Sequence, residues 1–224
     1  MIQNRTAQLI FQTVYCTLGV VGTIASFGIF DDITRIRWDF YLHFTNLSNY
    51  LCLGIMFAEL NQTVRKRENS FVSTAPLLKF IGLLAILLTF LVFNLLLANA
   101  EGRDPKENWK IASICFHEIL PLMYLADWFL FYERRTIRWY DPLIAAGFPL
   151  LYVFFIFSRA ALLPEDTAAL VYPYFFLDVN KQGVAGTITW VMYLLAAFTV
   201  GGYLFFGIDR ICKMKKSESG TLND

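Results

Sequence analysis

Six long apolar segments constrain this chain more than any other feature of its sequence. They lie near residues 8–30, 39–60, 76–98, 109–132, 141–159 and 185–208, separated by charged residues, Asn, Gly or Pro. A helix needs about 20 mostly apolar residues to cross the hydrocarbon core of a bilayer. The segments are continuous and lack the alternation of a membrane β-barrel. We therefore predict an all-α polytopic membrane protein, with six transmembrane helices in one bundle over residues 1–212.

Composition and charge agree with this class. The chain is 57% hydrophobic and only 17% charged, which excludes a disordered or ordinary soluble protein. Its net charge of +1 gives no general attraction to nucleic acid. Most Lys and Arg residues fall on the side that the two termini share, so both termini are predicted to be cytoplasmic. Residues 213–224 form a basic and polar cytoplasmic tail, and the cell membrane is the expected location.

The cysteines give no sign of a metal site or a disulfide framework. They are Cys16, Cys52, Cys115 and Cys212. Each lies inside or at the end of an apolar segment, and their spacing matches no metal-binding pattern. We expect no disulfide, no metal and no cofactor.

Polar residues inside the second and fourth apolar segments form two stripes. The stripes consist of Thr45, Ser48, Asn49 and Cys52, and of Ser113, His117, Pro121 and Tyr124. Each set repeats at the three- and four-residue spacing of one helix face. Counted from the extracytoplasmic side, Thr45 lies ~9 Å deep and His117 ~12 Å deep. A polar group at this depth is costly, so we predict that the stripes face each other at a functional site inside the bundle.

The same residues also allow a purely structural interpretation. Small hydroxyl and amide side chains commonly bond backbone carbonyls or a neighbouring helix, which on residue type alone is their commoner role. A neutral imidazole has one acceptor nitrogen, so His117 can act as a base or simply pack. Nucleophilic catalysis requires a hydroxyl, a base and donors for the oxyanion. Thr45, His117 and an Asn supply these types, although the motifs of soluble hydrolases and phosphate-binding loops do not occur.

One long connection, residues 160–184, is predicted to be extracytoplasmic. It contains Tyr172, Tyr174, Phe175 and Phe176, which makes it too aromatic for a solvated linker. Two interpretations remain open. The connection either folds back as a cap over the helix ends or forms an aromatic belt at the membrane interface.

Three stretches of the sequence are similar to known membrane proteins. They are WDFYLHFTNLSN (38–49), HEILPLMYLADW (117–128) and YPYFFLDV (172–179). These stretches resemble bacterial membrane proteins of the "Pr-six-Pr" type. That group looks like a distant relative of the androgen-induced and androgen-dependent TFPI-regulating membrane proteins. The resemblance covers nearly the whole chain as a six-helix layout.

The resemblance implies an intramembrane threonine hydrolase that cleaves fatty acyl esters. Thr45 would be the nucleophile and His117 the base. The segment after the threonine reads T-N-L-S-N, so the oxyanion or supporting group stays open among Asn46, Ser48, Asn49 and Asn94. Candidate substrate-binding residues are Arg159, Tyr172, Tyr174 and Asp178. The expected partner is a lipid or fatty acyl ester within the bilayer.

Other functions fit the same polar layer. It can bind a small solute or lipid in a transporter or binding protein, or it can only lock helices together in a non-catalytic scaffold. Acyl transfer is also open, because it shares the acyl-enzyme with hydrolysis and differs only in the acceptor.

Overall fold

The computed structural model is entirely helical over the part of the chain that it describes. That part comprises residues 4–30, 38–65, 71, 73–100, 102–132, 137–164 and 170–220, with side chains described as far as residue 211. The helices are α1 (Arg5–Ser26), α2 (Phe44–Val64), α3 (Pro76–Val92), α4 (Ile111–Ile114), α5 (Leu120–Leu130), α6 (Asp141–Ala145), α7 (Gly147–Leu162) and α8 (Val179–Gly220). No strand occurs among these residues, and the predicted all-α class is confirmed.

Shorter helical pieces extend and connect these elements. Two are single π turns: Phe93–Leu97 continues α3, and Cys115–Ile119 joins α4 to α5. Three are 3₁₀ helices, at Trp38–Leu42, Pro105–Trp109 and Phe175–Leu177. Because π turns inside α-helices often mark functional sites, their positions bear on the site described below.

Within the described residues, four helices are long and apolar enough to cross a membrane. They are Arg5–Ser26, Pro76–Leu97, Asp141–Leu162 and Val179–Ile211. The predicted second and fourth spans also form helices, but these carry the polar side chains of the two stripes and the carboxylates of Glu59, Glu118 and Asp127. Large apolar side chains such as Phe154 and Leu162 are 71% and 85% exposed, as expected for a lipid-facing surface. The chain is therefore compatible with a multi-pass membrane protein.

Some of the sequence-based predictions lie outside the described residues. These include the side chains of the basic tail, 213–224, and several charged residues used to orient the chain, at 31–37, 66–70 and 133–136. Part of the predicted aromatic loop, 165–169, also lies outside them.

Helix α3 occupies the centre of the bundle. It contacts α2, α5, α6, α7 and α8, whereas α1 packs on the far side against α2, α4 and α5. The approach of α1 is close at Gly22, where an added Cβ would lie 2.6 Å from the Phe116 ring. Cys16, Cys52 and Cys115 are buried between these helices as free thiols.

The last helix begins where the aromatic loop ends. The side chain of Asp178 accepts a hydrogen bond from the backbone N–H of Asn180, 3.1 Å away, as a helix cap does. Gly183 then interrupts the helix with φ 67°, a conformation that glycine adopts without strain. The predicted span 185–208 starts immediately after this break.

Candidate functional site

Thr45 and His117 line the same open cleft at one end of the bundle. The cleft has a volume of about 260 Å³. Its walls come from the start of α2, both π turns and the aromatic loop, and its charged or ionisable lining residues are Asp39, His43, Arg103, Glu107 and Lys110. The cleft is therefore polar and open, and a polar cleft of this kind holds water.

Thr45 also borders a second, apolar cavity of about 60 Å³ between α3, α7 and α8. Its walls include Leu88, Val92, Tyr152, Val191 and Leu194. Thr45, Leu97 and Tyr174 line both spaces. The threonine thus lies where a polar cleft meets an apolar cavity.

The backbone beside His117 determines which ring nitrogen carries the proton. The Nδ1 atom lies 3.1 Å from the carbonyl oxygen of Ser113, which can only accept a hydrogen bond. Nδ1 therefore carries the proton and donates a hydrogen bond to this carbonyl, which leaves the lone pair on Nε2. The Ser113 hydroxyl lies 3.2 Å from the same nitrogen. The hydrogen bond to Ser113 thus orients the imidazole ring of His117 and makes Nε2 its acceptor nitrogen.

An aromatic stack holds the His117 ring in place. Phe93 lies parallel to it, with 3.7 Å between ring centroids and 7° between planes. The guanidinium of Arg103 lies 5.3 Å from the centroid of the same Phe93 ring, and its Nε donates to Asn108 at 2.7 Å. Phe93 opens one π turn and His117 lies in the other, so the two turns meet ring against ring.

Thr45 lies in the first turn of α2, where backbone N–H groups lack intrahelical partners. Its N–H points at the hydroxyl oxygen of Tyr174, 3.4 Å away, and the Thr45 side chain also lies close to that hydroxyl. Burial raises the pKa of Tyr174, so this hydroxyl keeps its proton at neutral pH. Within the described residues, no hydrogen bond joins Thr45 directly to His117; the two side chains share the cleft instead.

Ser48 and Asn49 bond backbone carbonyls and do not line the cleft. The Asn49 amide donates to the Thr45 carbonyl at 2.8 Å and to the Phe116 carbonyl at 3.1 Å. The Ser48 hydroxyl donates to the Thr45 carbonyl at 3.0 Å and lies 2.9 Å from the Thr89 hydroxyl. Both residues connect α2 to its neighbours beneath the site.

The other two Asn candidates lie in different surroundings. Asn46 lines the cleft and donates to the Phe40 carbonyl at 2.7 Å. Asn94 is exposed, and its amide donates to the Phe90 carbonyl at 3.0 Å and to the Glu118 carboxylate at 2.9 Å. Asn94 and Glu118 therefore pair with each other away from Thr45.

Of the four candidate substrate-binding residues, only Tyr174 contacts Thr45. Arg159 donates to the Leu170 carbonyl at 2.8 Å and so fixes the aromatic loop. Tyr172 packs on the Phe157 ring, 6.1 Å between centroids, and Asp178 caps α8. The described part of the loop that follows residue 169 folds back over the bundle, with Tyr174, Phe176 and Leu177 buried.

A second buried polar cluster was not anticipated from the sequence. The ammonium of Lys79 on α3 pairs with the carboxylates of Glu59 on α2 and Asp127 on α5. All three residues are buried, at 2%, 4% and 1% exposure. The structure gives Asp127 a partner on α3, and charged residues inside apolar segments were the available signal.

Comparison with known proteins assigns the chain to no family, because no protein-family model, no curated protein and no solved structure matches it.

Proposed function

We propose that this protein is an intramembrane hydrolase of fatty acyl esters, with Thr45 as nucleophile and His117 as general base. The observation that supports this most is the position of Thr45 between an open polar cleft, shared with His117, and an apolar cavity. Ester hydrolysis in a membrane needs both, because water and a hydrocarbon chain must reach one carbonyl.

The reaction proceeds in two steps. In the first, Nε2 of His117 takes the hydroxyl proton of Thr45, and the threonine oxygen attacks the ester carbonyl. The tetrahedral intermediate collapses to acyl-Thr45, and the departing alcohol receives the proton from His117. In the second, a cleft water gives a proton to His117 and attacks the acyl-threonine, which releases the fatty acid and returns the proton to Thr45. An alcohol in place of this water would give acyl transfer.

Donors for the oxyanion are available beside Thr45. The first backbone N–H groups of a helix carry partial positive charge, and that of Thr45 has only a long contact to Tyr174. The Tyr174 hydroxyl and the Asn46 amide are side-chain donors on the cleft wall. We assign the oxyanion to the Thr45 N–H together with one of these two groups.

The proposal also includes an orientation in the membrane and a relationship to a family. Six spans with both termini in the cytoplasm would place the cleft at the extracytoplasmic side of the cell membrane. The resemblance to the "Pr-six-Pr" and androgen-induced membrane proteins supports the same roles for Thr45 and His117.

The test is hydrolysis of p-nitrophenyl fatty acyl esters by purified protein in proteoliposomes. Thr45→Ala and His117→Ala should each reduce the rate about a hundredfold or more. A fluorophosphonate probe should label the wild type and not Thr45→Ala. Asn94→Ala is the matched control, because Asn94 is exposed and pairs with Glu118 away from the cleft. Wild-type rates in folded Thr45→Ala protein would refute the proposal.

The buried cluster of Lys79, Glu59 and Asp127 favours a second candidate, a transporter of a small solute or lipid. Ionisable side chains inside membrane bundles often belong to ion or substrate routes. Uptake of solute into liposomes that depends on Lys79, with no probe labelling of Thr45, would favour transport over hydrolysis. A non-catalytic scaffold would show neither.

A further inference from the structure

A groove on the membrane-facing surface runs between α7 and α8. Its volume is about 320 Å³, and its lining includes Val153, Val184, Thr187, Ile188, Val191 and Met192. The Thr187 hydroxyl donates to the Gly183 carbonyl at 2.9 Å, so it is already bonded within its own helix. The walls therefore present hydrocarbon to whatever occupies the groove.

The groove adjoins the apolar cavity beside Thr45. Val153 on α7 and Val191 on α8 line both spaces. The outer rim of the groove is open, since Val184, Ile188 and Met192 are 65%, 57% and 60% exposed on a helix apolar enough to span the membrane. The lipid-facing groove and the cavity that Thr45 lines are therefore neighbouring apolar spaces, and any route from one to the other passes these two valines.

Resting on the proposed function, we infer that this route holds the acyl chain of the ester, which reaches Thr45 from the bilayer between α7 and α8. A hydrocarbon chain is the occupant that fits the groove, because its walls are apolar apart from Thr187, whose hydroxyl is bonded within its own helix, and surrounding lipid supplies chains at this surface. The cavity of about 60 Å³ is small, so a linear chain fits beside Thr45 better than a branched one.

The polar cleft then receives the other half of the substrate. Its charged lining, which includes Asp39, Arg103 and Lys110, suits a polar alcohol portion and water. The ester carbonyl lies between the two halves, at the residue that both spaces share. The substrate class is thus an ester of a linear long-chain fatty acid with a polar alcohol.

Chain-length selectivity tests this inference. For the wild type, each methylene from acetate to octanoate should raise kcat/KM up to about fourfold, the factor that corresponds to burial of one methylene. Val191→Trp and the milder Val191→Phe should lower the ratio of octanoate to acetate hydrolysis at least tenfold. Val200→Trp, an exposed position on the same helix outside the groove, should leave the ratio unchanged. An unchanged ratio in both Val191 variants would overturn the inference.

A binding experiment separates failure of this inference from failure of the hydrolase proposal. A fatty acid with a terminal diazirine is photolysed in Thr45→Ala proteoliposomes, and the labelled peptides are identified by mass spectrometry. Labelling of α7 and α8 around Val153 and Val191, reduced by excess oleate and by Val191→Trp, supports the acyl site even if no ester is hydrolysed. Labelling that excess oleate does not reduce refutes the acyl site, whatever the hydrolase assays show.

Discussion

Asn49 donates a hydrogen bond to the backbone carbonyl of Phe116, 3.1 Å away, across the boundary between α2 and the π turn that carries His117. The same amide donates to the carbonyl of Thr45 at 2.8 Å. One buried side chain therefore contacts the turn of the proposed nucleophile and the residue before the proposed base. Its position makes Asn49 a positioning residue in the proposed mechanism.

Replacing Asn49 with Leu should reduce kcat about tenfold or more, with a smaller change in KM. The substitution removes two buried hydrogen bonds, although the Thr45 carbonyl keeps the one from Ser48, and it removes the link between the turn of Thr45 and the residue before His117. We also expect the free energy of unfolding to fall by about 1–2 kcal/mol. Asn94→Leu is the control, because that amide is exposed and lies outside the cleft. If Asn49→Leu lowers stability but keeps the wild-type kcat, the residue is only structural.

Replacing Tyr174 with Phe tests the loop hydroxyl. The ring stays buried against Phe176, 5.0 Å between centroids, so stability should change by about 1 kcal/mol or less. The hydroxyl beside the Thr45 N–H is lost, and ester hydrolysis should fall about tenfold or more. Tyr172→Phe should retain the wild-type rate, because its ring packs on Phe157. Equal rates in the two variants would remove Tyr174 from the proposed oxyanion site.

A pH profile gives an independent check on the same hydroxyl. Burial raises the pKa of Tyr174, so its neutral form persists above the ordinary pKa of a tyrosine, about 10. A group with a raised pKa loses its proton only at higher pH, so the wild-type rate should show no alkaline loss near pH 10 due to Tyr174. Tyr174→Phe should leave the alkaline side of the profile unchanged. A loss near pH 10 that disappears in Tyr174→Phe would contradict this assignment.

Helical spacing predicted part of this site and missed the rest for physical reasons. Depth along the chain placed Thr45 and His117 in one layer, but depth does not specify which side of a helix faces the interior, which also decided the fate of the candidate Asn94. Asn94 belongs to a π turn, which adds a residue to the turn, and it lies on the exposed side facing Glu118. The i, i+3, i+4 pattern of Thr45, Ser48 and Asn49 did predict three buried residues of α2.

The spacing of residues along one helix could not predict contacts between segments that are distant in the sequence. The stack of Phe93 on His117 depends on how two π turns pack together. Tyr174 reaches Thr45 only because the aromatic loop folds back, which was one of two open interpretations. The pairing of Lys79 with two carboxylates likewise joins three helices, although each charge was visible in the sequence.

Replacing Lys79 with Met should destabilise the protein by about 3–5 kcal/mol, because it leaves two carboxylates buried without their cation. Chemical unfolding in detergent, followed by circular dichroism, measures this change. The triple variant Lys79→Met, Glu59→Met, Asp127→Leu should recover most of the loss, since an apolar replacement of a buried ion cluster is often neutral. Failure of the triple variant to recover stability would show that the charges contribute more than they cost.

Two glycines provide a test of how closely α1 must approach the His117 turn. A Cβ at Gly22 would lie 2.6 Å from the Phe116 ring and 3.0 Å from the Cβ of Cys115, whereas a Cβ at Gly54 meets nothing within 4 Å. Gly54→Ala should therefore stabilise its helix by about 0.4–1 kcal/mol through reduced chain entropy. Gly22→Ala should instead destabilise by about 1–3 kcal/mol, because the buried ring must shift.

The activity of the two alanine variants should differ as well. Phe116 lies next to His117, and its carbonyl receives the Asn49 hydrogen bond, so a displaced ring moves the proposed base. We expect Gly22→Ala to lower ester hydrolysis about tenfold or more, with Gly54→Ala at the wild-type rate, measured in proteoliposomes at equal insertion. Stabilisation of both variants with unchanged hydrolysis would mean that α1 does not constrain the His117 turn.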